Sequence, residues 1–396
     1  MNRIVVFIAS AVFGTTTAVA NNIVVNSTAD SGSACTLRNA IDNANSNSAT
    51  HSGCAAGNGA DLITFDSGVF ATPQTITLGS SLPLLTDTAT TTIDGGNVVT
   101  VDGNNVAQVF GIGFTSPSAT AILRNLTVAH GTTDSYGGGV FMSGATLELD
   151  HDTLLGNQAT YGGGGLWTQS GVTTIDNCVF TANSSPGPGS GGGIGNSASI
   201  LNISNSTFTG NSAGSGGGAI FTAYGGTMTI TNSTFNGNST GYYGSAIRNF
   251  SSDPANAFTT VTLDYVTIVG NSTGSGYGAL DAETNASNTV SNSIIAGNTG
   301  GDCNGTINDL GHNFYGNNSC GAPGSGDPQL APLGYTGGLT PTMPPLTGSP
   351  VIDAAACDAV TTDQRGLARP QGDGCDIGAA EAETSLFADG FEPHPV

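Results

Sequence analysis

A repeat constrains this 396-residue chain more than any other feature. Aligning Gly131, Asn157, Asn183, Asn211, Asn238, Asn271 and Asn298 gives steps of 26, 26, 28, 27, 33 and 27 residues. Three positions earlier stand Val128, Leu154, Phe180, Phe208, Phe235, Ile268 and Ile295, and eight positions earlier Leu123, Leu149, Ile175, Ile203, Ile230, Leu263 and Val290. The residue after that second apolar column is Arg124, Asp150, Asp176, Ser204, Thr231, Asp264 or Ser291. Apolar and polar positions thus alternate with period two, the pattern of a half-buried strand. One such unit cannot bury its own apolar side, so the copies must stack into a solenoid of β-coils roughly 4.8 Å apart.

Stacking in register places like over like. Asn157, Asn183, Asn211, Asn238, Asn271 and Asn298 form a candidate structural ladder of amides. Six positions before each aligned residue come Asn125, His151, Asn177, Asn205, Asn232, Tyr265 and Asn292, expected to point inward and to hydrogen-bond along the stack. Small residues recur before an aliphatic one, as in Gly138-Gly139-Val140, Gly164-Gly165-Leu166, Gly192-Gly193-Ile194 and Gly218-Ala219-Ile220. They allow tight bends and close approach of neighbouring coils.

The paired signatures Gly217-Gly218-Ala219-Ile220 and Phe-x-x-Asn, at 180–183, 208–211 and 235–238, resemble the repeats of polymorphic outer membrane proteins. More broadly, the repeats resemble the right-handed parallel β-helix of pectate-lyase-like proteins. The resemblance implies an all-β chain, a right-handed parallel β-helix over 91–320.

An export signal is expected over 1–20: Arg3, an apolar run from Ile4 to Phe13, and the cleavage pattern Ala18-Val19-Ala20. No later run is long and apolar enough for a transmembrane helix. The cysteines fit an oxidising compartment, with short-range candidate disulfides Cys35 with Cys54, Cys303 with Cys320, and Cys357 with Cys375. These are expected to staple end regions where stacking is incomplete, while Cys178 stays free, read as a small buried hydrophobe, with an outward position shielded by a loop as the alternative. Residues 21–90 read as an N-terminal cap and first strands. There Leu37, Ala40, Ile41 and Ala44 make one apolar face of a helix over Thr36–Asn47, with Thr36 as N-cap. Cys35-Thr36-Leu37-Arg38-Asn39-Ala40 resembles the CSLREA segment of secreted bacterial β-helix proteins, with Asn39 where that family has Glu.

Beyond Asp327 the chain turns Pro-rich and aperiodic. Asp327-Pro328, Gly337-Gly338-Leu339-Thr340, Ser349-Pro350-Val351-Ile352-Asp353, Asp363-Gln364-Arg365-Gly366, Arg369-Pro370 and Asp376-Ile377-Gly378-Ala379 with Glu381 follow in order. They resemble the choice-of-anchor Q region, assigned here to 321–383, with a C-terminal tail over 384–396. Together the resemblances imply an exported protein on the extracellular or outer-membrane surface of a Gram-negative bacterium.

The charge excludes some partners. A net charge of −22, with six Arg and no Lys, lacks the clustered cations that nucleic acid or anionic membranes require. No cofactor is expected, and Ca²⁺ is the one cation the acidic composition leaves open. Polysaccharide lyases on this scaffold use an Arg or Lys base, with Ca²⁺ or further cationic groups holding the uronate carboxylate, and only Arg124 and Arg248 lie within the repeats; Arg248, after Ile247, projects outward. Glycosidases need convergent carboxylates, with Asp150, Asp152, Asp176 and Asp264 as the candidates by composition. His51, His130, His151, His312 and His394 are dispersed, without zinc spacing. Trp167, Tyr161, Tyr242, Tyr243 and Tyr277 lie beside the glycine bends, where ordinary turn packing is expected of them and an aromatic strip for stacking sugars is the alternative. The expected function is a noncatalytic β-helix for adhesion or envelope display, with no catalytic residue and a surface ligand, carbohydrate among the candidates. The alternative is a carbohydrate-active β-helix enzyme, either polysaccharide lyase or glycoside hydrolase.

Overall fold

The computed structural model describes residues 20–114, 118–251, 258–283 and 285–382. The expected signal, apart from Ala20, and the tail over 384–396 lie outside the described residues. No helix among the described residues is long and apolar enough to cross a membrane.

The repeat register is the strand register. Every named strand pairs in parallel with its counterpart one coil away: Leu154 lies beside Val128 and Phe180, and Phe208 beside Phe180 and Phe235. This column continues beyond the seven aligned copies, back through Val101 to Ile76 and forward to Tyr315. The second apolar column runs back from Leu123 through Ile93 and Ile63 to Ile23. Both columns fill one continuous core inside the solenoid. Phe180, Phe208 and Phe235 stack face to face at 4.8 and 4.7 Å, the strand spacing itself.

Polar columns satisfy what the strands leave open. Asn157 Nδ2 donates to Asn183 Oδ1 and to the Val128 carbonyl, both at 3.0 Å. The pattern repeats through Asn211, Asn238 and Asn271 to Asn298, whose amide donates to Asp302. The column from Asn125 to Asn292 differs from the inward ladder expected of it. Each of its residues, His151 and Tyr265 included, takes a left-handed conformation with φ between 47° and 59°, a bend that asparagine tolerates better than most residues. Asn125, Asn205 and Asn292 instead donate outward, to Asp94, Asp176 and Asp264. The inward polar column lies one residue later. Cys178 N–H donates to Ser206 Oγ, Ser206 N–H to Ser233 Oγ, and Leu126 N–H to Asp152 Oδ1. The left-handed bend interrupts the strand ladder, and a buried N–H just past it needs an acceptor. Cys178 therefore faces the core and is wholly buried, as expected of a small hydrophobe, and the outward alternative falls away.

Asp152 occupies the same buried column, and desolvation pushes its carboxyl well above the ordinary range, against the lowering bond from Leu126. The native state thus holds this proton at pH values where the unfolded chain has lost it. Stability must fall as pH rises from about 4 through the raised native pKa. Asp152→Asn keeps the acceptor and removes the titration. Its stability relative to the parent should rise between pH 5 and pH 8 in urea melts, and a pH-independent difference would show that Asp152 ionises normally.

The helix Leu37–Ser46 packs on the strands Asn21–Val25 and Asp61–Phe65 at the N-terminal end of the stack. Thr36 Oγ1 accepts the Asn39 N–H, while Asn39 Nδ2 reaches the carbonyls of Gly32 and Ala34 instead of closing a capping box. The Cys35–Cys54 disulfide ties this helix to the following loop, and Cys303–Cys320 lies at the last coil.

Cys357–Cys375 lies in a side layer beside the last coils, where the Ala356 N–H donates to Asn292 and His312 contacts the Ala354 carbonyl. Residues 328–382 fold back as a layer against the side of the large sheet. Gln364 Nε2 donates to Thr207 Oγ1 at 2.8 Å, and its Oε1 accepts from Thr234 Oγ1 at 2.6 Å. The Ala379 N–H donates to Thr267 Oγ1, and Val351 and Ile377 pack on Ile294 and Phe314. Outward threonines of three successive coils are buried beneath this layer. Within it lie two ion pairs whose side chains are wholly buried, Asp363 with Arg365 and Arg369 with Glu381.

Candidate functional site

The layer covers one side of the solenoid; the outer surface of the eight-stranded sheet remains open. Its strands run from Phe110–Gly113 to Cys303–Gly305. Val140, Leu166, Ile194, Ile220, Ile247 and Leu280 face the core, so the residue after each faces out. That outward column reads Phe141, Trp167, Gly195, Phe221, Arg248, Asp281 and Asn304. Beside it runs a second column at the bend, Tyr136, Gly162, Ser190, Gly216, Tyr243 and Tyr277.

Glycines at two of these positions let large side chains lie flat on the coils. A Cβ at Gly195 would collide with the Trp167 indole, and one at Gly216 with the Arg248 side chain. Tyr136 packs on the Trp167 ring at 4.2 Å and on Tyr161 at 5.7 Å. A cleft of about 460 Å³ lies between this aromatic group and Phe221 with Tyr224 on the far wall. Gln169, Ser190 and Ser197 supply its polar lining. Tyr161 and Tyr224 are half exposed, while Trp167 is only 7% exposed. The Trp167 Nε1–H is buried without a hydrogen-bond partner, a donor that most buried indoles satisfy.

Past Phe221 the surface becomes ionic. Arg248 lies 4.2 Å over the Tyr243 ring and 4.8 Å over Phe250, and its Nη2 is 2.7 Å from Glu283 Oε1. Asp281, wholly buried, accepts from Asn304 Nδ2 at 2.6 Å. Burial pushes the Asp281 carboxyl up to about 7, and the adjacent Glu283 charge and a hydrogen bond with that carboxylate add to the rise, against the lowering effects of Asn304 and Arg248.

Of the carboxylates proposed by composition, Asp150 and Asp176 are register neighbours on adjacent coils with Asp152 close by, and Asp264 lies three coils further on; each is already engaged. Asp150 bonds His151, Asp152 is in the core, Asp176 accepts from Ser204 and Asn205, and Asp264 accepts from Ser291 and Asn292. Arg124 pairs with Asp94. His51 and His130 contact Asp42 and Asp102, His312 contacts the Ala354 carbonyl, and His394 is outside the described residues. Among the described residues no three His, Cys, Asp or Glu groups are disposed to hold a metal. Of the aromatic residues singled out in the sequence, Tyr161 and Trp167 line the cleft, and Tyr243 and Tyr277 pack against each other at 4.5 Å, their rings tilted by 44°, beside Arg248. Tyr242, 6.3 Å from Tyr243, stands exposed outside both groups. Tyr136, Phe221, Tyr224, Asp281 and Glu283 went unnoticed in the sequence. The signal for Phe221 and Asp281 was period two, one residue past each recurrent aliphatic.

The family described as right handed beta helix region matches residues 86–241. The chain is a right-handed parallel β-helix. No curated protein matches it. Among solved structures, the β-helix is similar to one titled crystal structure of pectate lyase Pel9A, at 14% identity, covering 92% of this chain and 97% of that one with a TM-score of 0.49.

Proposed function

We propose that this protein is an exported, noncatalytic β-helix that holds an extracellular ligand on the open aromatic face of its eight-stranded sheet, in adhesion or envelope display. The observation that carries this is the cleft bounded by Tyr136, Tyr161 and Trp167 on one wall and Phe221 and Tyr224 on the other. It offers stacking surfaces and neutral hydrogen-bonding groups, the usual make-up of a recognition site.

Chemistry on that face would require groups that are already engaged. A glycosidase places two carboxyls on either side of the scissile bond, about 5 Å or more apart. Asp281 and Glu283 instead interact directly, and Asp281 is wholly buried. A lyase base of the Arg or Lys type would have to give up its proton to act, and an ion pair with a carboxylate holds the side chain protonated. All five described arginines are ion-paired: Arg38 with Asp30, Arg124 with Asp94, Arg248 with Glu283, Arg365 with Asp363 and Arg369 with Glu381.

Incubation of the purified chain with polygalacturonate and with neutral polysaccharides, with and without Ca²⁺, tests this directly. The expected result is no release of reducing ends and no unsaturated product. Sustained turnover that disappears in Asp281→Asn would replace display by catalysis.

A further inference from the structure

The cleft behind Trp167 has a neighbour. A second opening of about 260 Å³ is lined by Leu84, Gln108, Phe114, Thr133, Tyr136 and Phe141. Tyr136 borders both openings, so its ring is the shared wall between them. Both lie on the same outward surface, in line along the solenoid axis. From the strand Phe110–Gly113 to the strand Ile220–Ala223 there are four coil steps, or about 19 Å at the strand spacing.

We infer that the ligand is a linear, uncharged polysaccharide lying parallel to the solenoid axis, with successive sugar units seated in the two clefts on either side of Tyr136. This rests on the binding function proposed above and specifies its ligand. Three observations support it. The two clefts follow one another along a run of four coil steps, long enough for several units of a linear polymer. Aromatic rings bound both clefts, with Phe141 and Phe114 in edge contact at 5.9 Å in the second and Tyr161 and Tyr224 exposed in the first. Apolar sugar faces stack on such rings while hydroxyls meet the amides and hydroxyls of Gln108, Thr133, Gln169, Ser190 and Ser197. The orphan Trp167 Nε1–H lies within the same wall.

Charge decides against an anionic polymer. No residue lining either cleft carries a charge, all five described arginines are already paired, and the chain carries a net −22. A polyuronate would approach a like-charged surface and find no free cation to pair its carboxylates.

The experiment is a chain-length series measured by isothermal titration calorimetry on the full chain. The probes are linear β-1,4-linked glucan, xylan and mannan oligosaccharides of two to eight residues, with oligogalacturonates as the anionic arm. Affinity for one neutral series should rise at least tenfold from two residues to about five and then level off. Tyr224→Ala with Gln169→Ala, in the first cleft, should lose binding at every length. Phe141→Ala with Gln108→Ala should leave the shortest ligand unchanged and cut the affinity of the longest about tenfold, with Phe141→Tyr restoring part of it. Circular dichroism verifies that each variant folds, and all four positions lie outside the apolar core.

Affinity flat with length, or a silent second-cleft variant, would overturn the tandem arrangement while leaving single-cleft binding intact. Absence of binding to every neutral series, or tighter binding of oligogalacturonate, would overturn this inference, and binding untouched by the first-cleft variants would overturn the proposed site as well.

Discussion

Phe208→Asp should abolish cooperative folding of the central coils. Phe208 is wholly buried between Phe180 and Phe235, with ring centroids 4.8 and 4.7 Å away. A carboxylate there has no cation within the core to meet it, and the cost of an unpaired buried charge is several kcal/mol. The damage cannot stay local, because each coil is the template for the next and the stack is continuous through this column. Ser204→Ala, four residues earlier on the outer side, is the control. Ser204 donates to Asp176 at 2.7 Å, so its loss should cost about 1 kcal/mol. Urea denaturation should therefore show a native baseline for Ser204→Ala and none for Phe208→Asp; equal losses in the two variants would mean that the columns do not face as described.

Glu381→Ala is expected to have the second largest effect, confined at first to a different part of the molecule. Glu381 accepts from Arg369 at 2.6 Å and from the backbone N–H groups of Asp376 and Gln371. Arg369 in turn donates to the carbonyls of Asp376 and Gly378 and lies 4.1 Å over the Tyr265 ring. Removing the carboxylate leaves a buried guanidinium without its counter-charge, a loss of about 3–5 kcal/mol. The side layer holds the sheet through polar anchors such as Gln364 and a small apolar cluster, whereas the solenoid has a continuous core. The layer should therefore open while the coils stay folded. Hydrogen exchange would show protection lost across residues 328–382 and retained at the asparagine ladder. Uniform loss over both regions would show that the two form one cooperative unit.

Much of this architecture is written in the sequence because a stacked coil repeats its environment. Phe180, Phe208 and Phe235 share a column, so one alignment reveals register, strand spacing and core together. The same holds for the ladder from Asn157 to Asn298, where each amide meets a copy of itself. Direction at the bends was not legible. Asn177 and Cys178 are adjacent, and only the left-handed backbone at Asn177 turns one side chain out to Asp176 and the other into the core.

The functional face depended still more on tertiary structure. Trp167 and Tyr161 stand out in the sequence, but the cleft exists only where the fold sets Phe221 and Tyr224 opposite them, two coils on, with Gly195 between making room for the Trp167 ring. Likewise nothing in the spacing of Gln364 and Arg369 reveals that residues 328–382 return along the side of the stack, since their partners Thr207 and Asn232 lie 157 and 137 residues away. The repeat by itself determined the solenoid, because stacking is a relation between like residues at a fixed interval. Which side of it is covered and which stays open to a ligand was decided only in the folded molecule, by contacts between unlike residues that no interval relates.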